Sequence, residues 1–452
     1  MLLKSGVSAL AITTAIAALW LSSCRNEAEI SNTSVELGGI ITKDTVWSAE
    51  KDYLLIGQVT VESGTRLTIE AGTTIKSIAS DVNGLAPVLV IKPGAQIIAD
   101  GTKEKPITFT SAADLSLLPK RGLWGGVIIL GRAPVNQPPE KRFVEGIAGI
   151  QYGGSDPDDS SGILRYVRVW YGGRNIGENN EINGMTFAGV GRGTVVDHVE
   201  VAWNNDDAFE FFGGTVDAKY LSALFVKDDS FDTDLGYQGR LQHLFSLSGH
   251  DVAGRALEMD NDGKEMDLQP RSYPQVCNAT FIGPGSDIPA AEKNEKGENK
   301  TDQTDQLIRL REGTGGDFRN ILTLNGNGTC LRVSDSPTIA LIVATAPKDS
   351  TSHSLYYSPN NVAFNCRDSA VHKDVKNLIT VNEIDPQLTT VAIDVFNKGS
   401  LDPLPKAGSP VLSASDSCRT DEFFEFTNHV GAFKDKNWLK DWTWLDANGY
   451  LP

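Results

Sequence analysis

The chain has 452 residues, which by length alone would fill two or three compact domains. Its formal charge of −17 and pI near 4.8 exclude the basic footprint that nucleic-acid binding requires. Acidity of this size suits an exported protein, or one that holds cations.

The first 24 residues have their own chemistry. Lys4 supplies a positive charge, Val7 to Leu21 is an almost unbroken apolar run, and the small residues Ser22 and Ser23 precede Cys24. Positive, apolar, small is the order of a signal peptide. The run is short for a spanning helix, which takes about 20 residues. Leu21-Ser22-Ser23-Cys24 resembles the lipobox of bacterial lipoproteins. That resemblance implies cleavage before Cys24 and acylation there, palmitate included. Residues 1–23 are therefore expected to be a lipoprotein signal peptide, and residues 24–40 a polar tether. No other stretch is long and apolar enough to span a bilayer.

From about residue 41 the sequence becomes short β-branched runs broken by Gly, Pro and Asp. Leu54-Leu55-Ile56-Gly57, Val88-Leu89-Val90-Ile91 and Ile107-Thr108-Phe109-Thr110 are examples. Glu70-Ala71-Gly72-Thr73-Thr74-Ile75 and Lys92-Pro93-Gly94-Ala95-Gln96-Ile97 are near-copies 22 residues apart. Asp206-Asp207-Ala208-Phe209-Glu210 precedes Asp228-Asp229-Ser230-Phe231-Asp232 by the same step. A fixed period of this size predicts a solenoid, which escapes the usual domain-size rule because each unit touches only its neighbours. The predicted fold is all-β: a single-stranded right-handed parallel β-helix over 41–418, with an exposed loop at 283–305. Roughly 13 coils would make a rod near 60 Å long. Residues 419–452 shift composition, crowding Phe423, Phe424, Phe426, Phe433, Trp438, Trp442 and Trp444 into what reads as an aromatic-rich C-terminal cap.

Four cysteines follow Cys24: Cys277, Cys330, Cys366 and Cys418. An even count in an exported chain predicts disulfides. Three connectivities are open, and Cys277–Cys330 with Cys366–Cys418 is the pairing favoured here.

Aligning the coils by their period gives a constellation of charge. Phe209, Phe211, Phe231, Leu257 and Met259 alternate inward. Glu210, Asp232, Glu258 and Arg309 then form one outward column, and Phe212, Asp234, Asp260 and Arg311 the next. At the turn before this wall, Asp206-Asp207 stacks over Asp228-Asp229. Carboxylates one rung apart repel by about 1 kcal/mol in water and roughly 3–4 kcal/mol at an effective dielectric of 20. Such stacking needs an arginine, a bound cation such as Ca2+, or a retained proton. The third remedy is also what a general acid needs.

The order Asn205-Asp206-Asp207, Asp228-Asp229, Gly249-His250, Arg309-Leu310-Arg311 resembles the motif series of polygalacturonase-like β-helix glycosidases. Asp251 replaces that series' second glycine and Arg311 its lysine. The resemblance implies Asp207, Asp228, Asp229 and His250 as catalytic groups, with Arg309 and Arg311 on a uronate carboxylate. Asp206, Glu210, Asp232, Asp234, Glu258 and Asp260 are binding or cation-ligand candidates.

Two longer stretches, Gly122-Leu123-Trp124-Gly125-Gly126-Val127-Ile128-Ile129-Leu130-Gly131 and Asp228 through Gly239, resemble a group of Gram-negative exported β-helical, pectin-lyase-like lipoproteins often labelled "multidrug transporter". The ending from Val430 to Trp444 resembles that group too. This implies the fold and an outer-membrane location, but no activity. No apolar span supports transport. The favoured expectation is a lipid-anchored, non-catalytic glycan-binding or envelope accessory protein, with membrane, glycans or an envelope complex as partners. The alternative is a glycoside hydrolase or calcium-assisted lyase acting on acidic polysaccharide.

Overall fold

A computed structural model describes residues 34–452, apart from 145–146, 148, 175–181, 287–303, 349–352, 392–399, 414 and 420. The signal peptide, Cys24, most of the tether and most of the loop at 283–305 lie outside the described residues.

Each strand is too short to bury a face by itself, so the chain buries its apolar residues by stacking coil on coil. The result is a right-handed parallel β-helix whose strands pair in parallel with the next coil. One wall carries the acidic residues. Its first two rungs are the C-terminal halves of Val35–Ile41 and Tyr53–Val61. Leu89–Ile91, Val127–Leu130, Met185–Ala188, Phe209–Phe212, Phe231–Asp234, Leu257–Met259, Gln306–Leu310, Thr329–Val333 and Ser369–Val371 follow in register. Along this wall Phe209, Phe211, Phe231, Leu257, Met259, Ile308 and Leu310 are fully buried. The Phe209 and Phe231 rings stack at 5.4 Å and 8°.

The wall has eleven rungs, about 50 Å of rise. The expected thirteen assumed a constant coil. The step from Phe209 to Phe231 is indeed 22 residues, but register pairs Phe231 with Leu257 and Leu257 with Ile308. The rod also starts early, because Val35–Ile41 falls inside the stretch read as a tether. The last described parallel rung is Asn382–Glu383, after which Leu388–Val391 and Leu401–Pro405 pair antiparallel.

A second set of strands is long and bent: Val195–Ala202, Ala218–Leu224, Arg240–Leu247, Gln275–Ile282 and Gly316–Leu324. Each bends at one residue of positive φ: His198, Tyr220, His243, Asn278 and Asn320. Register superposes these residues. Asparagine tolerates this left-handed conformation, whereas tyrosine and histidine rarely adopt it. Stacking offsets the strain here. Tyr166, His198, Tyr220 and His243 form a continuous ring column with centroids 4.3–4.5 Å apart.

The aromatic C-terminal segment closes this flank. Trp442 meets Tyr166 and His198 edge-on, Trp438 meets Tyr220, and Phe433 meets Phe245. Fully buried Glu200 accepts hydrogen bonds from the Trp444 backbone N–H at 2.7 Å and Trp170 Nε1 at 2.9 Å. Among the described residues no helix is long and apolar enough to cross a membrane.

The disulfides are Cys277–Cys418 and Cys330–Cys366, which corrects the expected pairing. Cys277 stands on the bent flank, where the C-terminal segment begins its path, whereas Cys330 belongs to the acidic wall. The two occupy different walls. Non-reducing peptide mapping should therefore recover 277–418 and 330–366 peptides; a 277–330 peptide would contradict the fold. Phe231→Ala should destabilise the chain by about 3–5 kcal/mol in denaturant titration, as loss of a fully buried ring requires.

Candidate functional site

The outward face of the acidic wall changes character along the rod. At its N-terminal end Val90, Ile128, Leu130 and Ala188 are apolar and lie under Val135, Val144, Ile147 and Tyr152. Next come Glu210, Asp232 and Glu258, paired rung to rung. Arg309 and Arg332 continue the same column.

The turn before the wall repeats at a fixed offset. Asp207, Asp229 and Arg255 each stand two residues before an inward Phe209, Phe231 or Leu257, and those three are in register. Ladder hydrogen bonds hold them: Ala208 N–H donates to Asp229 O at 2.9 Å and Ser230 N–H to Arg255 O at 2.7 Å. Asn204 ties the first turn internally, donating from Nδ2 to Asp207 O at 2.8 Å. Gly254 lets the Arg255 turn close, since a Cβ there would lie 2.0 Å from Asp228 O.

Three sets of carboxylates result: Asp206, Asp207 and Asp228; Asp207, Glu210 and Asp232; Asp229, Asp232 and Glu258. Within each set the ligand oxygens lie within 4.8 Å of one another. Asp207 and Asp232 are each shared by two sets. Asp229 and Glu258 are buried, whereas Asp228 opens to solvent at the rim. Groups this close can share a divalent ion.

Arginine relieves only part of the repulsion. Arg255 pairs with Asp229 and with Glu258, both at 3.1 Å. Arg311 grips Asp260 at 2.8 Å and reaches Glu258 at 3.2 Å. Asp207, Asp228, Asp232 and Asp234 form no ion pair among the described residues. Asp207 Oδ1 accepts the Asp229 N–H at 2.8 Å. Asp232 Oδ1 and Asp234 Oδ1 are buried with no hydrogen-bond partner.

These four retain protons instead. Burial, then Asp206 and Asp232, holds the Asp207 carboxyl well above the usual range. Burial and then Asp260 do the same to Asp232 and to Asp234. Asp229 beside it, then burial, pushes Asp228 up to about 7. Burial lifts Glu258 and, against the pull of Arg311, raises Asp260 to about 7.

The wall brings together Asp206, Asp207, Glu210, Asp228, Asp229, Asp232 and Glu258. Arg311 and Asp260 are joined to it by ion pairs. His250 is not where a constant coil puts it. The coil after Asp229 is 26 residues long, so its register partner is Arg255. The neighbours of His250 face elsewhere: Asp251 pairs with Arg121 at 2.6 Å. Arg255 was missed, although Asp207-x-x-Glu210, Asp229-x-x-Asp232 and Arg255-x-x-Glu258 share one spacing. Arg332 was missed too, as was Asn183, whose Nδ2 donates to Glu210 Oε2.

Residues 39–399 match the family described as pectate-lyase-like β-helix domain. No curated protein matches the sequence. Among solved structures, the catalytic domain of a GH87 α-1,3-glucanase in complex with tetrasaccharides is similar. The identity is 13%, over 76% of this chain and 68% of that one, with a TM-score of 0.28. The expected non-catalytic accessory role is corrected by the family match together with the three carboxylate sets, which point to a catalytic β-helix.

The raised carboxyls bind protons more readily folded than unfolded. Stability without a cation is therefore fullest below the ordinary carboxyl value near 3.8 and falls as pH climbs through about 7. In EDTA the melting temperature should drop by roughly 3 °C or more between pH 5 and pH 8. Millimolar calcium should restore more of it at pH 8 than at pH 5. Equal melting temperatures at both pH values would contradict this account of the wall.

Proposed function

The chain belongs to the pectate-lyase-like β-helix domain family, and from that premise we propose an enzyme that cleaves acidic polysaccharide by β-elimination. The spacing of the carboxylates carries this reading. A hydrolase needs two carboxyl groups about 5–5.5 Å apart to retain configuration, or about 6.5–9.5 Å to invert it. Within each set here the oxygens lie within 4.8 Å, which suits a shared ion better than an acid–base pair.

The donor set is all oxygen and includes the unpartnered, buried Asp232 Oδ1, so it fits a hard divalent cation. Asp207, Glu210 and Asp232, or Asp229, Asp232 and Glu258, would hold calcium. When bound, calcium supplies positive charge that neutralises a uronate carboxylate and acidifies its α-proton.

The chain's own residues do the rest. Asp228, at the solvent-exposed rim, takes the proton from the carbon next to the uronate carboxyl. The freed electron pair forms a carbon–carbon double bond as the adjacent carbon–oxygen bond breaks, and the departing oxygen takes a proton from water. Arg255 keeps Asp229 and Glu258 oriented beside Asp228. The N-terminal signature further supports export and lipid anchoring at Cys24, which would place this chemistry in the cell envelope.

With calcium, polygalacturonate or another uronan should yield products that absorb in the ultraviolet through the new double bond. Asp228→Asn should lower kcat by about a hundredfold or more without lowering Tm. Cleavage into reducing ends without that absorbance would exclude elimination. Cys24→Ser should move the protein from the membrane to the soluble fraction of cells, and continued sedimentation with membranes would sink the anchor.

A further inference from the structure

Beyond the acidic sets the same column turns basic. Arg309 is the register partner of Glu258, and Arg332 is the partner of Arg309. Neighbouring rungs lie about 4.8 Å apart, so Arg332 stands roughly 10 Å from Glu258 along the rod. Like charges directly opposite destabilise a sheet. Yet this pair has little to offset it. Arg309 approaches Glu258 at 3.7 Å, and its Nε makes no hydrogen bond. Arg332 forms no ion pair among the described residues. Arg311, expected to share the anion with Arg309, is instead held by Asp260 through two contacts of 2.8 and 2.9 Å. Burial and then Arg311 lower the Arg309 pKa, with Arg332 contributing in the same direction.

Arg332 opens into a cleft of about 270 Å³, shared with Lys373, Thr329 and Ser369. Asp305 also lines it, but one of its oxygens accepts from Gln306 Nε2 at 2.8 Å. Asp368, the other acid of the lining, is exposed to water, where its charge is screened. The cleft thus offers two cations without carboxylate partners among the described residues, and two hydroxyls, in a protein whose net charge is strongly negative.

We propose that this cleft is an anion subsite that takes a carboxylate or sulfate group carried on a glycan chain. Arg332 and Lys373 grip the anion, Thr329 and Ser369 donate to it, and Arg309 faces the same chain from the preceding rung. A glycan lying along the rod would then meet carboxylate sets at one end and cations at the other, which fixes its direction. The ligand class rests on the polysaccharide reading above, but the binding does not depend on turnover.

The test measures binding to full-length protein carrying Asp228→Asn, so that turnover does not interfere. The probes are polygalacturonate, a sulfated glycan and neutral dextran. Polygalacturonate, the sulfated glycan or both should bind, more weakly as salt rises, and dextran should not. Arg332→Gln and Lys373→Gln should each weaken polyanion binding by about tenfold or more. Lys373 is exposed, so its variant tests the cleft without risk to the fold. Undiminished binding by both variants, or equal binding of dextran, overturns the proposal. If no uronan is cleaved while Arg332-dependent binding persists, the enzyme reading fails and the subsite stands. Cleavage with binding indifferent to Arg332 and Lys373 removes the subsite and leaves the enzyme reading in place.

Discussion

Parallel register puts equivalent residues of successive coils directly over one another, about one strand spacing apart. In the core this is favourable, because Phe209 lies flat on Phe231. On the outer face it is not, because the same repeat superposes Glu210, Asp232 and Glu258, and Asp207 with Asp229. Everything proposed for this protein follows from how that repulsion is relieved. Arginine takes Asp229, Glu258 and Asp260. Asp207, Asp232 and Asp234 are left in an interior that disfavours their charge, so they hold protons or give them up to a cation.

The wall is therefore zoned along its length. An apolar stretch lies beneath Val135 to Tyr152, an acidic stretch follows, and a basic stretch ends it. Tyr152 marks the first boundary: burial raises its pKa, and Asp234 and Glu210 raise it further. On the opposite flank the outward residues are aromatic, and the C-terminal segment covers them. Cys277–Cys418 pins the start of that segment to the rod. The covered flank carries stability, and the zoned wall carries chemistry.

Much of this was legible in the sequence, because a solenoid writes its spatial neighbours at a fixed interval. The columns through Glu210 and Phe212 follow from the alternation of buried Phe, Leu and Met with polar residues. The interval misled where coils lengthen. His250 is one nominal period from Asp229, but four extra residues put Arg255 there. The disulfides were misread for a related reason: sequence order says nothing about which wall a cysteine occupies, and Cys277 and Cys330 occupy different ones. The histidine and tyrosine bends at His198, Tyr220 and His243 were also illegible, since neither residue type signals a left-handed backbone. Family membership over residues 39–399 then weighed the acidic wall toward catalysis, which composition alone could not do.

The central claim is that the shared carboxylates Asp207 and Asp232 exchange protons for a divalent ion. Calorimetric titration of the protein with calcium, in two buffers of different ionisation heat at pH 6, measures that exchange directly. The account predicts binding whose heat differs between the buffers, because protons are released, and no such binding by Asp232→Asn. Calcium heats that are absent, or identical in both buffers and untouched by that substitution, would contradict it.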